Sequence, residues 1–363
     1  MQINKLTTTS VVVFIISMNI SAVCFAQSIP EFNFQILTSE NVQTIHLNND
    51  TIVELRDVNV TPDYYIHHGR VSYHGQLVSF VAFNNHVYVA DQTNQRIYKI
   101  THDNRLDRVI GGRGRGPGEF LDLFHLSATE NYLFAQDRNQ LKTIVFNKRL
   151  EVVAELPTGN SGVVAAGQKF TIVPGGFSSD HFFGVIESKP PFAQVGEFLT
   201  HVIPAGMQPS GYRFSRAVTN RRGDFLITIN GLPYLFLFDN NLNHLQTIKL
   251  DGEMIQSRIA LNPKPEPVQH VDIHRGGVHN IIGGMYLTET RDILFGIGQT
   301  LYRLEFVDGV YRFKNGYQFF ASNETQREED TPLGIFTILL LHESNKICFV
   351  SIHLSNLYCF DFE

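Results

Sequence analysis

Two near-matching stretches lie 46 residues apart in the chain, His86-Val-Tyr-Val-Ala-Asp91 and Tyr132-Leu-Phe-Ala-Gln-Asp137. Asn94-Gln-Arg-Ile97 follows the first stretch, and Asn139-Gln140 follows the second at an equivalent place. Self-similarity at a fixed spacing is the sequence signature of a repeat architecture. Each copy reads as a short apolar strand, a polar turn and a second apolar strand, so the repeat predicts an all-β protein.

The same unit can be followed along the rest of the chain at intervals of roughly 50 residues, the length of a propeller blade built from a four-stranded sheet. Six apolar strands anchor the units: Val87–Ala90, Leu133–Gln136, Phe170–Val173, Phe225–Ile229, Ile293–Ile297 and Ile347–Ile352. The sequence therefore predicts a six-bladed β-propeller.

The end of the chain predicts how the ring closes. Leu357-Tyr-Cys-Phe-Asp361 matches Leu235-Phe-Leu-Phe-Asp239, which is a third strand of its unit, and the sequence stops two residues later at Glu363. The last blade therefore lacks an outer strand, and an open sheet edge is a hazard. We expect the N-terminal stretch Thr51–Val58, which reads as an unassigned strand, to complete this blade and close the ring.

The best-preserved copy resembles a known repeat family. Tyr88-Val-Ala-Asp91, Asn94-Gln-Arg-Ile97 and Gly114-Arg-Gly-Pro-Gly-Glu-Phe120 resemble the NHL repeat, and more closely the secreted six-bladed propellers found in many Gram-negative bacteria. The resemblance is specific over Leu77–Phe120 and Leu133–Gln140 and weakens through the other units. It implies the fold, but no functional residues can be carried over with it.

Composition agrees with many short strands and restricts the partners. The 363 residues include 29 Phe, 13 Tyr and 28 Gly but no Trp, and the net charge is −6 without a long run of either sign. A nucleic-acid-binding surface normally shows a basic stripe, so no nucleic-acid partner is expected. No Pro-, Gly- or Ser-rich linker divides residues 27–363, which predicts one domain, and we expect a monomer.

The first 26 residues have the pattern of a signal peptide. A single charge at Lys5 precedes the apolar run Val11–Ile16, and small Ala26 followed by Gln27 suits cleavage between them. Cys24 is a poor lipid acceptor because Ser21-Ala-Val23 before it is a poor lipobox. The pattern favours a secreted or periplasmic protein without a membrane-spanning segment in the mature chain.

Removal of that segment leaves Cys348 and Cys359, whose strands are predicted to form one hairpin. A pairing centred near His353-Leu-Ser-Asn356 would bring the two thiols close enough for a disulfide in an oxidising compartment. Two free buried thiols remain the alternative, because the register cannot be fixed from sequence.

The glycine-rich run Gly111–Gly118 lacks the Gly-Lys-Ser/Thr ending of a P-loop and the strand–helix context of a dinucleotide site. It is therefore interpreted as a connection between blades. Arg113 and Arg115 within it are candidate ligands for an anion. Asp91 and Asp137 recur at equivalent places, which indicates that they cap turns.

The long interval at about 251–284 breaks the repeat, and such insertions often carry function. Arg258 and Arg275 there are candidate binding residues. In an extended segment His270, Asp272 and His274 would point to one side, which suits zinc, and calcium is a weaker possibility. His67 and His74, before the first inner strand, are further candidate metal ligands, although solvated histidines explain all of these positions without a metal.

No nucleophile–base arrangement or pair of carboxylates emerges from the sequence. The favoured interpretation is a non-enzymatic propeller that binds a protein or a small-molecule ligand without a cofactor. The alternative is a metal-dependent lyase or hydrolase with its site in the ring centre, because some NHL-like propellers, such as the peptidyl-hydroxyglycine amidating lyase, are metal-dependent lyases. That alternative rests on likeness of fold, and fold does not imply function.

Overall fold

The structure is a computed structural model. It describes residues 42–47, 52–55, 77–101, 106–160, 162–176, 181–200, 207–208, 214–261, 266–267, 280–319, 335–341, 346–351 and 357–361.

Five sheets of four or five strands, each with four consecutive antiparallel strands, are arranged in chain order as the blades of a β-propeller. Two strands, β1 (Val42–His46) and β2 (Ile52–Leu55), precede the blades. Blade 1 comprises β3 (Leu77–Phe83), β4 (His86–Asp91), β5 (Arg96–Ile100) and β6 (Leu106–Gly111), and blade 2 comprises β7 (Leu123–Ala128), β8 (Tyr132–Asp137), β9 (Lys142–Asn147) and β10 (Val152–Pro157).

The later blades follow the same strand order. Blade 3 comprises β11 (Ala165–Ala166), β12 (Phe170–Pro174), β13 (His181–Glu187) and β14 (Gln194–Thr200). After β15 (Met207–Gln208), blade 4 comprises β16 (Ser215–Thr219), β17 (Phe225–Ile229), β18 (Tyr234–Phe238) and β19 (His244–Asp251). After helix α1 (Glu253–Ala260) and β20 (Glu266–Pro267), blade 5 comprises β21 (Met285–Leu287), β22 (Ile293–Ile297), β23 (Thr300–Val307) and β24 (Val310–Phe319).

The last three strands, β25 (Ile335–Leu341), β26 (Lys346–Ser351) and β27 (Leu357–Asp361), form a separate three-stranded sheet. The described residues thus contain five complete blades rather than the six predicted. The six predicted anchor strands nevertheless coincide with the second strands of six separate sheets: β4, β8, β12, β17, β22 and β26.

The first strand of each sheet lies against the first strand of the next, which makes these six strands the inner strands of a ring. The neighbouring pairs are β3–β7, β7–β11, β11–β16, β16–β21 and β21–β25, and β25 lies against β3. The ring is therefore closed by contact between the three-stranded sheet and blade 1.

The core lies between neighbouring blades. One apolar cluster joins blades 1 and 2, a second joins blades 2 and 3, a third joins blades 3 and 4, and a fourth joins blades 4 and 5 with α1. The second strand of a blade is covered on both faces, which explains why β4 and β8 are almost continuously apolar in sequence. Outer strands such as β6 are mostly exposed.

Hydrogen bonds between blades reinforce the apolar contacts close to the inner strands. Leu126 N–H donates to Ser79 Oγ at 3.0 Å, and Ala166 N–H donates to Ser127 Oγ at 2.8 Å. Between blades 3 and 4, Thr219 Oγ1 donates to the Ala166 carbonyl at 2.9 Å. These side chains are largely buried, so loss of one partner would leave a buried polar group unsatisfied.

The N-terminal strands contradict the predicted ring closure. β2 pairs in parallel with β24, the outer strand of blade 5, and β1 pairs in parallel with β19, the outer strand of blade 4. The N-terminal stretch therefore does not complete the last blade. Only five residues separate His46 from Ile52, so the two can lie roughly 22 Å apart at most, and β2 must bind close to the blade that holds β1.

Gln43 on β1 connects these two blades. Its side-chain amide donates to the Tyr311 carbonyl at 2.6 Å, and its Oε1 accepts from Tyr311 N–H at 3.0 Å and from Gln246 at 2.8 Å. Tyr311 belongs to β24 and Gln246 to β19, so one side chain ties blade 4 to blade 5 from outside.

The Cys348 side chain is buried and disulfide-bonded. In the antiparallel pair β26–β27 the register places Cys359 opposite Cys348. This register supports the predicted disulfide pair, with the two cysteines on neighbouring strands of the three-stranded sheet.

The 251–284 interval contains α1, which packs Ile255 into the core between blades 4 and 5. β20 of this interval pairs with β15, so two long connections meet there. In the part of the chain described, no helix has the length and apolar character needed to cross a membrane.

Replacement of Gln43 by Ala should lower the free energy of unfolding by about 1–2 kcal/mol, because it removes three hydrogen bonds from a half-buried site. Thr44→Ala is the matched control, since Thr44 is exposed on the same strand and should change stability by less than about 0.5 kcal/mol. Urea unfolding at neutral pH measures both. Equal stability of the two variants would show that β1 does not tie the blades together.

Candidate functional site

The polar side chains on the inner strands of blades 1, 2 and 4 include Ser79 on β3, His125 on β7 and Arg216 on β16. Blade 3 separates blade 2 from blade 4, so side chains from these two blades can approach each other only across the ring centre. Both inner strands border the ring centre, and the Arg216 charge contributes, after burial, to the lowered pKa of His125. We call Ser79, His125 and Arg216 the central cluster.

His125 and Arg216 are half-buried residues, and burial is the main cause of the lowered pKa of each. Ser79 is completely buried. This combination of enclosure and residual access is expected of side chains that line the space inside a ring. It is also the setting in which charges interact more strongly than on an open surface.

The Ser79 hydroxyl orients His125. Ser79 Oγ already accepts Leu126 N–H at 3.0 Å and lies 3.2 Å from His125 Nδ1. The hydroxyl proton can then be donated to Nδ1, which acts as the acceptor of a neutral imidazole. In that tautomer the ring proton is on Nε2, so His125 offers an N–H donor on the side away from Ser79.

Two effects keep His125 neutral. Burial disfavours the charged imidazolium, and the Arg216 charge adds to that effect, so that the pKa of His125 is lowered to about 3. Burial also lowers the pKa of Arg216, to about 10, which leaves the guanidinium charged at neutral pH. The cluster therefore presents one positive charge and a neutral imidazole.

This chemistry suits binding better than acid–base catalysis. An efficient general base has a pKa near the working pH, and His125 is far more weakly basic than that. A guanidinium and an imidazole N–H are both hydrogen-bond donors, which favours a ligand rich in acceptors.

Arg113 and Arg115 lie in the connection between β6 and β7, as expected of a run that joins two blades, and both side chains are exposed. Gly111 in this run has a φ of 80°, and a Cβ there would lie 2.5 Å from the Phe120 ring. The glycine is thus required by a positive φ and a close approach, which agrees with a structural role for the run.

Arg258 lies on α1 and its guanidinium covers Gly298, in the turn between β22 and β23. A Cβ on Gly298 would lie 2.7 Å from Arg258 Nη2. Since that turn joins the second and third strands of blade 5, the structure places Arg258 away from the inner strands and from the central cluster.

The predicted metal ligands His67, His74, His270, Asp272 and His274 lie outside the described residues, as does Arg275. Within the described ranges, no group of three or more His, Cys, Asp or Glu side chains is arranged to hold a metal ion. The metal site therefore stays a prediction.

The two repeated aspartates cap turns, as predicted. Asp91 accepts from the backbone N–H of Asn94 at 3.0 Å, and Asp137 accepts from that of Gln140 at 2.9 Å. Asp137 also accepts from Leu121 N–H at 2.6 Å in the approach to β7. Each carboxylate thus satisfies backbone donors that the turn leaves without partners.

Sequence reasoning did not single out any residue of the central cluster. A usable signal was present, because His125 and Arg216 are polar interruptions in the apolar strands that lead into their units. Such lead-in strands become the inner strands of a propeller, where a charged side chain faces either a neighbouring blade or the ring centre.

No protein-family model matches the chain, and no curated protein matches it. Solved structures with similar chain traces include a protein of Bacteroides fragilis that is thought to be exported, with 12% identity, coverage of 81% of this chain and 88% of that chain, and a TM-score of 0.48. U3-55K has 10% identity, coverage of 80% and 97%, and a TM-score of 0.49.

A streptogramin B lyase is also similar, with 10% identity, coverage of 81% of this chain and 85% of that chain, and a TM-score of 0.44. With all three TM-scores below 0.5, the β-propeller assignment rests on the strand order and the ring contacts of this chain.

The lowered pKa of His125 predicts a pH dependence of stability. The unfolded chain binds a proton at this residue below about pH 6.5, whereas the folded protein does so only near pH 3. The stabilising contribution is therefore complete above pH 6.5 and is lost as the pH falls from 6.5 towards 3, by up to about 1.4 kcal/mol per pH unit. Urea unfolding between pH 7.5 and 4.5 should show a shallower loss for His125→Gln than for wild type.

His86→Gln is the matched control for this experiment, because His86 lies at the start of β4 and bonds the Asn84 carbonyl. It should keep the wild-type slope. If His125→Gln also keeps that slope, His125 is not enclosed as described.

Proposed function

We propose that this protein is a non-enzymatic β-propeller that binds a small ligand at the centre of its ring. The observation that carries the proposal is the placement of Ser79, His125 and Arg216 on the inner strands of three blades, with Ser79 Oγ 3.2 Å from His125 Nδ1. A ligand there would contact several blades at once. Because neighbouring blades support one another, the donors are held in place before binding, which lowers the entropic cost of association.

We further propose that the mature protein begins after residue 26 and acts outside the cytoplasm, as a single domain and a monomer. The pattern of the first 26 residues and the disulfide at Cys348 support export, since disulfides persist in oxidising compartments. Cys359 is the proposed partner of Cys348. The likeness of Tyr88–Asp91 and Gly114–Phe120 to NHL repeats supports a place among NHL-like propellers, with the sheet β25–β27 as a sixth, three-stranded blade.

A ligand panel tests the binding function. At least one compound class should raise the Tm of the wild-type protein. The panel comprises neutral sugars, amino acids, carboxylates, phosphates and divalent cations. A ligand at 100 times its Kd stabilises the folded state by about 2.7 kcal/mol. The same ligand should raise the Tm of His125→Gln much less.

Thr44→Ala serves as the control in the panel. Because Thr44 is exposed on the outer strand β1, this variant should respond to the ligand as wild type does. A panel in which no compound raises the Tm, or in which His125→Gln responds as strongly as wild type, would refute ligand binding at the ring centre.

The alternative function is a metal-dependent lyase or hydrolase, suggested by the spacing of His270, Asp272 and His274. On the favoured proposal, purified protein contains no stoichiometric zinc or calcium by elemental analysis. A His270→Ala/His274→Ala double variant should then have the same metal content as wild type. Stoichiometric metal that is lost in the double variant would establish the alternative.

A further inference from the structure

An open cavity of about 310 Å³ lies on blade 2, beside the turn between β9 and β10. Ligand sites generally measure roughly 300–1,000 Å³, so this cavity has room for a small molecule built on one ring. The residues that line it come from two hairpin turns at the same end of blade 2: Asn131, Tyr132, Asn147, Lys148, Arg149 and Glu151. The lining does not include the central cluster, so this cavity is a separate place on the molecule.

Asn147 fixes the shape of the turn between β9 and β10. Its Oδ1 accepts Arg149 N–H at 2.9 Å and Glu151 N–H at 3.1 Å, and its side-chain amide donates to Glu151 Oε2 at 2.8 Å. The backbone that carries Lys148 and Arg149 is therefore held in place before a ligand binds, which lowers the cost of association.

The turn between β18 and β19 of blade 4 has the same backbone hydrogen bonds, with Asp239 in place of Asn147. Its two tip residues are Asn240 and Asn241. Their side-chain oxygens accept from the backbone N–H of Lys169 at 3.1 Å and from its ammonium at 2.8 Å. Because Lys169 belongs to blade 3, the tip of this turn stabilises a contact between two blades.

Lys148 and Arg149 form the corresponding tip in blade 2, and they serve no such contact. In the part of the chain that the structure describes, neither side chain has an ion-pair or hydrogen-bond partner, and both are exposed. The carboxylate of the lining, Glu151, is engaged by the Asn147 amide. The contacts that shape the turn therefore leave two cations at the cavity without a structural role.

Tyr132 supplies an aromatic wall to the cavity. Its ring meets the buried Phe192 ring edge to face, with centroids 5.2 Å apart and an angle of 82° between the ring planes. Such a contact fixes the orientation of the ring. Phe192 lies in the connection between β13 and β14, so blade 3 supports the wall that blade 2 presents.

These groups define the chemistry of a ligand. Lys148 and Arg149 oppose the single charge of Glu151, and the surplus positive charge matches a ligand with one anionic group. Sugar hydroxyls both donate and accept hydrogen bonds, which suits the Glu151 carboxylate and the Asn131 amide together. The apolar C–H face of a sugar ring can pack on the ring of Tyr132.

We propose that this cavity binds an acidic sugar, a sugar ring that carries one carboxylate or phosphate group. The anionic group lies at Lys148 and Arg149, and the sugar ring lies against Tyr132. This site goes beyond the proposed function, because it is separate from the ring centre and recognises its ligand through different residues.

Calorimetric titration at constant ionic strength tests the proposal with four probes: glucuronate, glucose 6-phosphate, neutral glucose and acetate. Wild type should bind at least one of the two acidic sugars about tenfold more tightly than glucose, because the acidic sugar adds two exposed ion pairs. Acetate should bind more weakly than the acidic sugars, since it cannot cover Tyr132 while it contacts the cations. The comparison of the two acidic sugars tells which anionic group the cavity prefers.

The double variant Lys148→Asn/Arg149→Asn places the blade 4 tip on the blade 2 turn, so the turn should still form. It should bind the acidic sugars only as weakly as glucose. Arg221→Gln/Arg222→Gln is the control with the same change of charge, because these two adjacent residues are exposed in the turn between β16 and β17. The control should keep the wild-type affinity.

Two results of the titrations would overturn the proposal. One is equal affinity of wild type and Lys148→Asn/Arg149→Asn for the acidic sugars. The other is acetate binding as tight as that of the acidic sugars, which would show that the sugar ring is not recognised.

A second measurement uses the wild-type protein and does not depend on the folding of any variant. An N-hydroxysuccinimide ester acylates exposed lysines, and mass spectrometry can follow its addition to Lys148. The preferred acidic sugar should protect Lys148, whereas sodium chloride of equal ionic strength should not. Lys314, exposed on β24, should react equally in all samples. Absence of protection at Lys148 would overturn the proposal.

His125→Gln separates this inference from the proposed function at the ring centre. This variant should bind the acidic sugars as wild type does, because His125 does not line the cavity. If the acidic sugars bind wild type and Lys148→Asn/Arg149→Asn equally but fail to bind His125→Gln, they bind at the ring centre. The cavity proposal would then fall and the proposed function would stand.

Discussion

The packing of each inner strand against the next is the constraint on which the rest of the structure depends. A blade buries its middle strands only if a neighbour covers each of its faces, so no blade is stable alone and the ring has to close. Ser79, which accepts Leu126 N–H, shows how polar atoms are accommodated at this contact. The same hydroxyl orients His125, so a contact that stabilises the ring also shapes its centre.

The N-terminal strands add a second constraint from outside. β1 and β2 pair with the outer edges of blades 4 and 5, and Gln43 bonds to both blades. The two N-terminal strands thereby become the outer edge strands of these two sheets. Blades 4 and 5, which these strands restrain from outside, also share an apolar cluster that extends to α1.

Much of the fold is readable from sequence, because apolar runs mark strands that are covered on both faces. All six predicted anchors are second strands, and Asp91 and Asp137 cap their turns. The partner of β2 was predicted incorrectly, since outer-edge pairing depends on the reach of a short connection and not on the apolar pattern. His125 and Arg216 are 91 residues apart, and only the closed ring places their two strands around one centre. Hence the candidate site could not be read from local spacing.

The central claim is that His125 and Arg216 both line the ring centre, and NMR titration of the His125 imidazole tests it most directly. The account predicts a pKa far below 6.5 in wild type and a higher pKa in Arg216→Gln, because a positive charge that acts on His125 has been removed. Replacement of Arg312, which is exposed on β24 of blade 5, by Gln should leave the pKa unchanged. A His125 pKa near 6.5 that is the same in wild type and Arg216→Gln would contradict the account.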